Sequence, residues 1–106
     1  MDDLTIEPME VHRMMREGAK FLLLDCREPW EHQTAHIEGA TLIPMREIPQ
    51  KLEEIPKDQT VVVYCHAGIR SFNAASWLKR QGINALSMSG GIDQWSKEID
   101  PKVPRY

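Results

Sequence analysis

Cysteine is scarce in this chain, with only Cys26 and Cys65 among 106 residues, and the two stand far outside any Cys-x-x-Cys spacing of a metal or dithiol motif. Histidine is equally sparse, at positions 12, 32, 36 and 66, and shows no clustered metal signature. Positive charge is not in excess: 13 Lys and Arg against 16 Asp and Glu leave a net charge of -3, which argues against a general binder of nucleic acid or of acidic membranes. No window approaches the ~18 apolar residues needed to cross a bilayer. The start, Met1-Asp2-Asp3-Leu4, is acidic where a secretory signal is basic and then apolar. The chain therefore reads as cytoplasmic, with both cysteines as thiols. Repeats and low-complexity segments are absent as well.

What is present describes one domain over residues 1–106. With 42% hydrophobic and 27% charged residues, a chain of this length buries roughly two-thirds of its unfolded surface and stands without disulfides. Strand and helix signals alternate along it. Leu4-Thr5-Ile6 reads as a short strand, and Pro8 suits the first turn of a helix running to Gly18, with Val11, Met14 and Met15 on a core-facing stripe. Phe21 to Cys26 and Thr60 to Cys65 are continuous apolar runs, the mark of inner parallel strands covered on both faces. Between them lie a short helix around Glu28 to Gln33, a strand at Ala40 to Ile43 and a second short helix near Ile48 to Ile55. A helix from Ser71 to Arg80, stopped by Gly82, precedes a last strand at Asn84 to Met88, a Gly90-Gly91 turn and a helix from Ile92 to Glu98. Trp30, Trp77 and Trp95 read as packing residues, and the proline-containing tail 100–106 as irregular surface chain. The alternation predicts a three-layer α/β domain with a mainly parallel sheet flanked by helices.

Chemistry concentrates where the second apolar strand ends. Cys65 sits between a buried strand and a helix start, the place in an open α/β sheet where ligands collect. Unpaired amides, the positive end of the helix dipole and Arg70 would each stabilise negative charge on sulfur and on an anionic substrate. Gly68 allows a loop tight enough to turn several amides inward. Taken alone, Cys65 also reads as a small buried hydrophobe closing its strand; Gly68, Arg70 and a helix in register favour the reactive reading.

Cys65-His66-Ala67-Gly68-Ile69-Arg70-Ser71 resembles the Cys-x-x-Gly-x-Arg-Ser active loop of single-domain rhodaneses, sulfurtransferases that carry sulfur as a cysteine persulfide. Asp25-Cys26-Arg27-Glu28, Trp30-Glu31, His36-Ile37-Glu38-Gly39-Ala40, Ile43-Pro44 and Ser89-Gly90-Gly91-Ile92-Asp93-Gln94-Trp95 are similar, in order, to further motifs of that family. The matches cover about residues 4–100, which the resemblance implies form one rhodanese-like domain with a five-stranded sheet. Two positions depart from the pattern: Cys26 replaces the usual Val, and Ala35 the usual Gly. Cys26 reads as a packing residue, the alternative being a resolving thiol for Cys65, which requires Cα atoms within about 7 Å.

The resemblance implies a double displacement. Cys65 thiolate takes the outer sulfur of a donor such as thiosulfate, and a thiophilic acceptor, cyanide or the thiol of a small molecule or partner protein, removes it. It implies no metal or organic cofactor. The amides of His66, Ala67, Gly68, Ile69 and Arg70 are expected to hold the transferred sulfur, and the Arg70 side chain to attract the anionic donor. Ser71 is expected as a helix N-cap or substrate contact. Asp25 and Arg27 are expected to border the site and support it, with a carboxylate fixing Arg70 or a loop amide. His36 resembles the family's fold-holding histidine. Only four residues separate Cys65 from Arg70, one fewer than in phosphatases of the Cys-x5-Arg type, which disfavours a phosphatase or arsenate reductase. A non-catalytic binding or regulatory module of the same family is the remaining alternative, disfavoured by the presence of the cysteine. A domain of this size functions as a monomer without difficulty.

Overall fold

A computed structural model describes residues 3–106; Met1 and Asp2 of the acidic start lie outside the described residues. Chain order is β1 (Thr5–Ile6), α1 (Pro8–Arg16), β2 (Phe21–Asp25), α2 (Pro29–Thr34), β3 (Thr41–Leu42), two 3-10 stretches (Met45–Glu47 and Pro49–Glu54), β4 (Thr60–Tyr64), α3 (Ile69–Arg80), β5 (Ala85–Met88) and α4 (Gly91–Glu98). The five strands form one sheet in the order β1-β5-β4-β2-β3, and every pairing is parallel. Among the described residues no helix is long and apolar enough to cross a membrane.

The two apolar runs become the inner strands β2 and β4, in register from Phe21↔Thr60 to Asp25↔Tyr64. Val61, Val62 and Val63 are fully buried, which β-branched side chains suit because they pack well on a pleated surface; each contributes about 1.5–3 kcal/mol by leaving water. Side chains alternate between the faces of a strand. One face therefore gathers Leu24, Cys26, Val61, Val63 and Cys65 beneath Ala74, Ala75 and Leu78 of α3. The other gathers Leu23, Val62 and Tyr64 against Val11 of α1 and Ile92 and Trp95 of α4. These are the three layers the alternation predicts.

Several expectations shift in detail. α1 ends at Arg16 rather than Gly18, and only Val11 of its apolar stripe is buried, Met9 and Met15 being exposed. The helix expected near Ile48 to Ile55 is instead the 3-10 stretch Pro49–Glu54, kinked at Lys51, because its amides bond three residues back, Lys51 to Ile48 and Ile55 to Leu52, and the non-helical backbone at Lys51 interrupts a four-back ladder. α3 starts at Ile69, two residues earlier than Ser71. Trp95 is buried, but Trp30 is 61% exposed and is not a packing residue of the core.

Candidate active site

The site begins where β4 stops. Beyond Tyr64, the chain turns through Cys65 to Gly68 and enters α3, with Gly68 as the N-cap at φ +108°. That backbone region admits glycine readily and other residues only with strain. A side chain at this position would also press on the backbone of Gly90, its Cβ lying 3.2 Å from the Gly90 nitrogen.

Cys65 Sγ takes the place of the usual capping oxygen. It accepts hydrogen bonds from the amides of Gly68 at 3.1 Å and Ser71 at 3.3 Å, the N-cap and third residue of α3. Helix-start amides have no partner within the helix and carry its positive dipole end. The amides of His66, Ala67, Ile69 and Arg70 find no acceptor among the described residues. The loop is held from behind by α4, whose Ile92 and Asp93 amides donate to the carbonyls of Cys65 (2.8 Å) and His66 (3.1 Å). A Cβ on Gly91, where φ is +61°, would overlap those same carbonyls, so Gly91 is a steric requirement of the loop.

Ser71 is not the N-cap; that position is Gly68, because the helix starts earlier than its polar residue suggested. Its buried hydroxyl lies 3.3 Å from Cys65 Sγ and from the Gly68 carbonyl, and 2.7 Å from Ser87 Oγ.

Arg70 is where the structure departs most from expectation. Its guanidinium forms a bidentate pair with Glu31 at 2.7 and 2.8 Å, so its charge is already matched. Glu31 is filled on all sides: its Oε1 also accepts the Glu28 amide at 2.9 Å, closing the capping box of α2, and its Oε2 accepts the Tyr106 hydroxyl at 2.8 Å. The Arg70 hydrogen bonds lower the Glu31 carboxyl to about 2.

The carboxylate expected to fix Arg70 or a loop amide was that of Asp25. Asp25 and Tyr64 instead point to the sheet face opposite Cys65, as their odd register relative to Cys26 and Cys65 dictates. There Asp25 binds the fully buried Arg27 at 2.7 and 2.8 Å, His32 at 2.8 Å and the Tyr64 hydroxyl at 3.2 Å. Burial opposes its charge, but Arg27 and His32 hold its carboxyl below the usual range. Arg27 donates further to the Ala35 carbonyl at 2.6 Å and to the Tyr106 hydroxyl at 2.7 Å. Asp25 and Arg27 thus form a buried network on the far face of the sheet, without touching the loop. His36 is exposed; it stacks on His32 at 4.3 Å and binds the His32 carbonyl at 2.9 Å, steadying the histidine that holds Asp25.

Cys26 stands one register step beyond the Asp25↔Tyr64 pair and its thiol donates to the Tyr64 carbonyl at 3.4 Å. Burial pushes that thiol well up, which keeps it protonated, in keeping with a packing role. His66 lies under the Tyr106 ring at 4.5 Å, its Nδ1 buried without a partner among the described residues.

Glu31, Ser87, Gly91 and Tyr106 are the site residues that sequence reasoning missed. Glu31 carried a local signal, since Pro29 and Glu31 mark the first turn of α2; Ser87 and Tyr106 carried none.

A model of the rhodanese-like domain matches residues 7–98. A sulfurtransferase from Allochromatium vinosum is 37% identical over 99 residues, covering 92% of each chain. The probable adenylyltransferase/sulfurtransferase MoeZ of Mycobacterium tuberculosis is 38% identical over 105 residues, of which this chain spans only 27% of the length. A rhodanese-related protein from Thermoplasma volcanium superposes with a TM-score of 0.84 at 28% identity, covering 96% of this chain and 98% of that one. With its family model spanning nearly the whole chain and its sheet, loop and Gly-Gly support in place, the protein belongs to the rhodanese-like family.

Proposed function

We propose that the chain moves sulfane sulfur from an anionic donor such as thiosulfate to a thiophilic acceptor through a persulfide on Cys65. The observation that carries this reading is the sulfur of Cys65 seated as the acceptor at the start of α3, hydrogen-bonded by Gly68 and Ser71. Thiolate is the nucleophilic form of cysteine, and a helix start favours it. In the first step Cys65 thiolate attacks the outer sulfur of thiosulfate; the new S–S bond forms as the old one breaks, and sulfite leaves with the electron pair. The inward amides of His66, Ala67, Ile69 and Arg70 then hold the charged terminal sulfur. In the second step an acceptor thiolate or cyanide takes that sulfur and returns Cys65 to thiolate.

Arg70 enters this scheme chiefly through its backbone amide and as a brace. Tied to Glu31, it fixes the loop to α2, and its charge reaches an anionic donor only in exchange for that carboxylate. No step requires a metal or organic cofactor, and the reading places the protein as a monomer in the cytoplasm acting with a small donor and a thiol or protein acceptor.

Reduced protein exposed briefly to thiosulfate is expected to gain one sulfur atom by intact mass and lose it on addition of cyanide, while a folded Cys65→Ser variant gains none. Sulfur uptake by Cys65→Ser, or none by wild type with any anionic sulfane donor, would overturn the proposal.

A further inference from the structure

Ser87 belongs to none of the motifs above, yet it is wired to the nucleophile. It lies on β5, on the same sheet face as Ala85, and is 1% exposed. Its amide donates to the Leu4 carbonyl at 2.6 Å, and its hydroxyl has a single partner among the described residues, Ser71 Oγ at 2.7 Å.

Ser71 owns one hydroxyl hydrogen and three neighbours able to accept it: Cys65 Sγ, the Gly68 carbonyl and Ser87 Oγ. While Cys65 is a thiol, its S–H points at Ser71 Oγ, and the Ser71 hydrogen turns to Ser87 or Gly68. Once the thiol proton has gone to solvent, the sulfur can only accept. Ser71 then turns its hydrogen to the sulfur, and its oxygen loses the S–H donor it had accepted. Ser87 makes up that loss by donating into the Ser71 oxygen. The row of hydroxyls reverses direction with the charge on sulfur, and every buried hydroxyl stays bonded in both states, which matters because an unsatisfied buried group is costly.

We propose that Ser87 is a positioning residue for Cys65, turning the Ser71 hydroxyl so that it donates to the thiolate. Without Ser87, the Ser71 oxygen has no donor behind it when its hydrogen faces the thiolate, and the hydrogen bond it gives the sulfur is weaker. The charged and titratable groups around Cys65 are Arg70 and His66 on its own loop, Cys26 from the end of β2, and Glu31 of α2 through Arg70, while Asp93 of α4 meets the loop through its amide and pairs its carboxylate with Lys97 and Arg105. A change at Ser87 alters none of these.

The inference rests on Cys65 as the reactive nucleophile, and its test reads the thiolate directly rather than sulfur transfer. Iodoacetamide alkylation of Cys65 is followed by peptide mass across pH in wild type, Ser87→Ala, Ser87→Thr and Ser89→Ala. For Ser87→Ala, alkylation at pH 7 is expected to slow about threefold to tenfold, with the pH–rate curve displaced to higher pH and its alkaline plateau unchanged. Ser87→Thr restores the wild-type curve, Ser89→Ala leaves it alone, and Ser87→Ala adds nothing in a Ser71→Ala background. An undisplaced curve in Ser87→Ala, a lowered plateau without displacement, or an equal effect of Ser89→Ala would overturn the inference. Should Ser87→Ala not fold, Ser87→Cys, nearly isosteric and a weak donor, gives the same reading. Absence of sulfur uptake from any anionic sulfane donor would instead overturn the proposed activity and leave this inference standing.

Discussion

Glu31 holds α2, α3 and the tail together with one carboxylate, and its four hydrogen bonds leave it no capacity for a further partner. Because the folded carboxyl is lowered from 4.5 to about 2, chiefly by Arg70, the sign of its pH linkage follows. The stabilisation is complete above the unfolded value and lost as pH falls through the window from 4.5 to about 2, since protonation is then favoured in the unfolded chain first. Glu31→Gln should destabilise the protein by about 1–2 kcal/mol near neutrality. It should also flatten the acid limb of stability against pH in urea titrations. An acid limb as steep as in wild type would show that Glu31 does not titrate with folding. The residues of the candidate loop, Cys65, Gly68 and Arg70, were legible because strand, glycine and helix start stand in an unbroken run. The partner of Arg70 was not. Asp25 was the nearest carboxylate along a strand, but alternation of side chains sends it through the sheet, and the carboxylate that reaches Arg70 comes from a helix whose orientation no local pattern reveals.

At the scale of elements, two helix starts meet at one loop. α3 supplies amides to the sulfur, while α4 supplies amides to the carbonyls of Cys65 and His66. The close approach of α4 depends on Gly91 having no side chain. Gly91→Ala should therefore cost about 1–3 kcal/mol and lower the rate of persulfide formation at least tenfold. Gly39→Ala is the proper comparison: it too has positive φ, but open space around the missing Cβ. It should lose stability alone, as read by denaturant midpoints beside sulfur uptake, and an equal loss of uptake in both variants would contradict the steric account. The sequence announced the Gly-Gly pair as a turn. That it is also a contact depends on which loop the turn lies beneath, a tertiary fact. The 3-10 stretches after β3 were misread for a simpler reason, since apolar spacing alone does not tell bonding three residues back from bonding four back.

Over the whole molecule, the segment after α4 turns out to be a fastening and not a loose end. Val103 is buried, its carbonyl accepts the Ser96 hydroxyl at 2.7 Å, Arg105 pairs with Asp93 at 2.9 Å, and Tyr106 bridges Arg27 and Glu31. A chain stopped at Asp100 should melt about 5–10 °C lower, and an unchanged Tm would mean that these contacts add nothing to the fold. Two prolines and three charged residues gave no hint of this, because the aromatic that matters is anchored by groups some 75 residues away. The layered architecture was plain from the alternation of apolar runs and helical stripes, since burial on both faces imposes itself on composition.

The arrangement of α4 beneath the loop bears on transplantation. A stretch copied from Cys65 to Ser71 into another scaffold would carry the cysteine and its glycine, but not the outside donors that occupy the loop's carbonyls. Those carbonyls would be free to rotate inward, and amides that converge on the sulfur would give way to oxygens. The portable unit is the loop together with the start of a second helix that is distant in sequence, so this motif is inherited as a fold and not as a peptide.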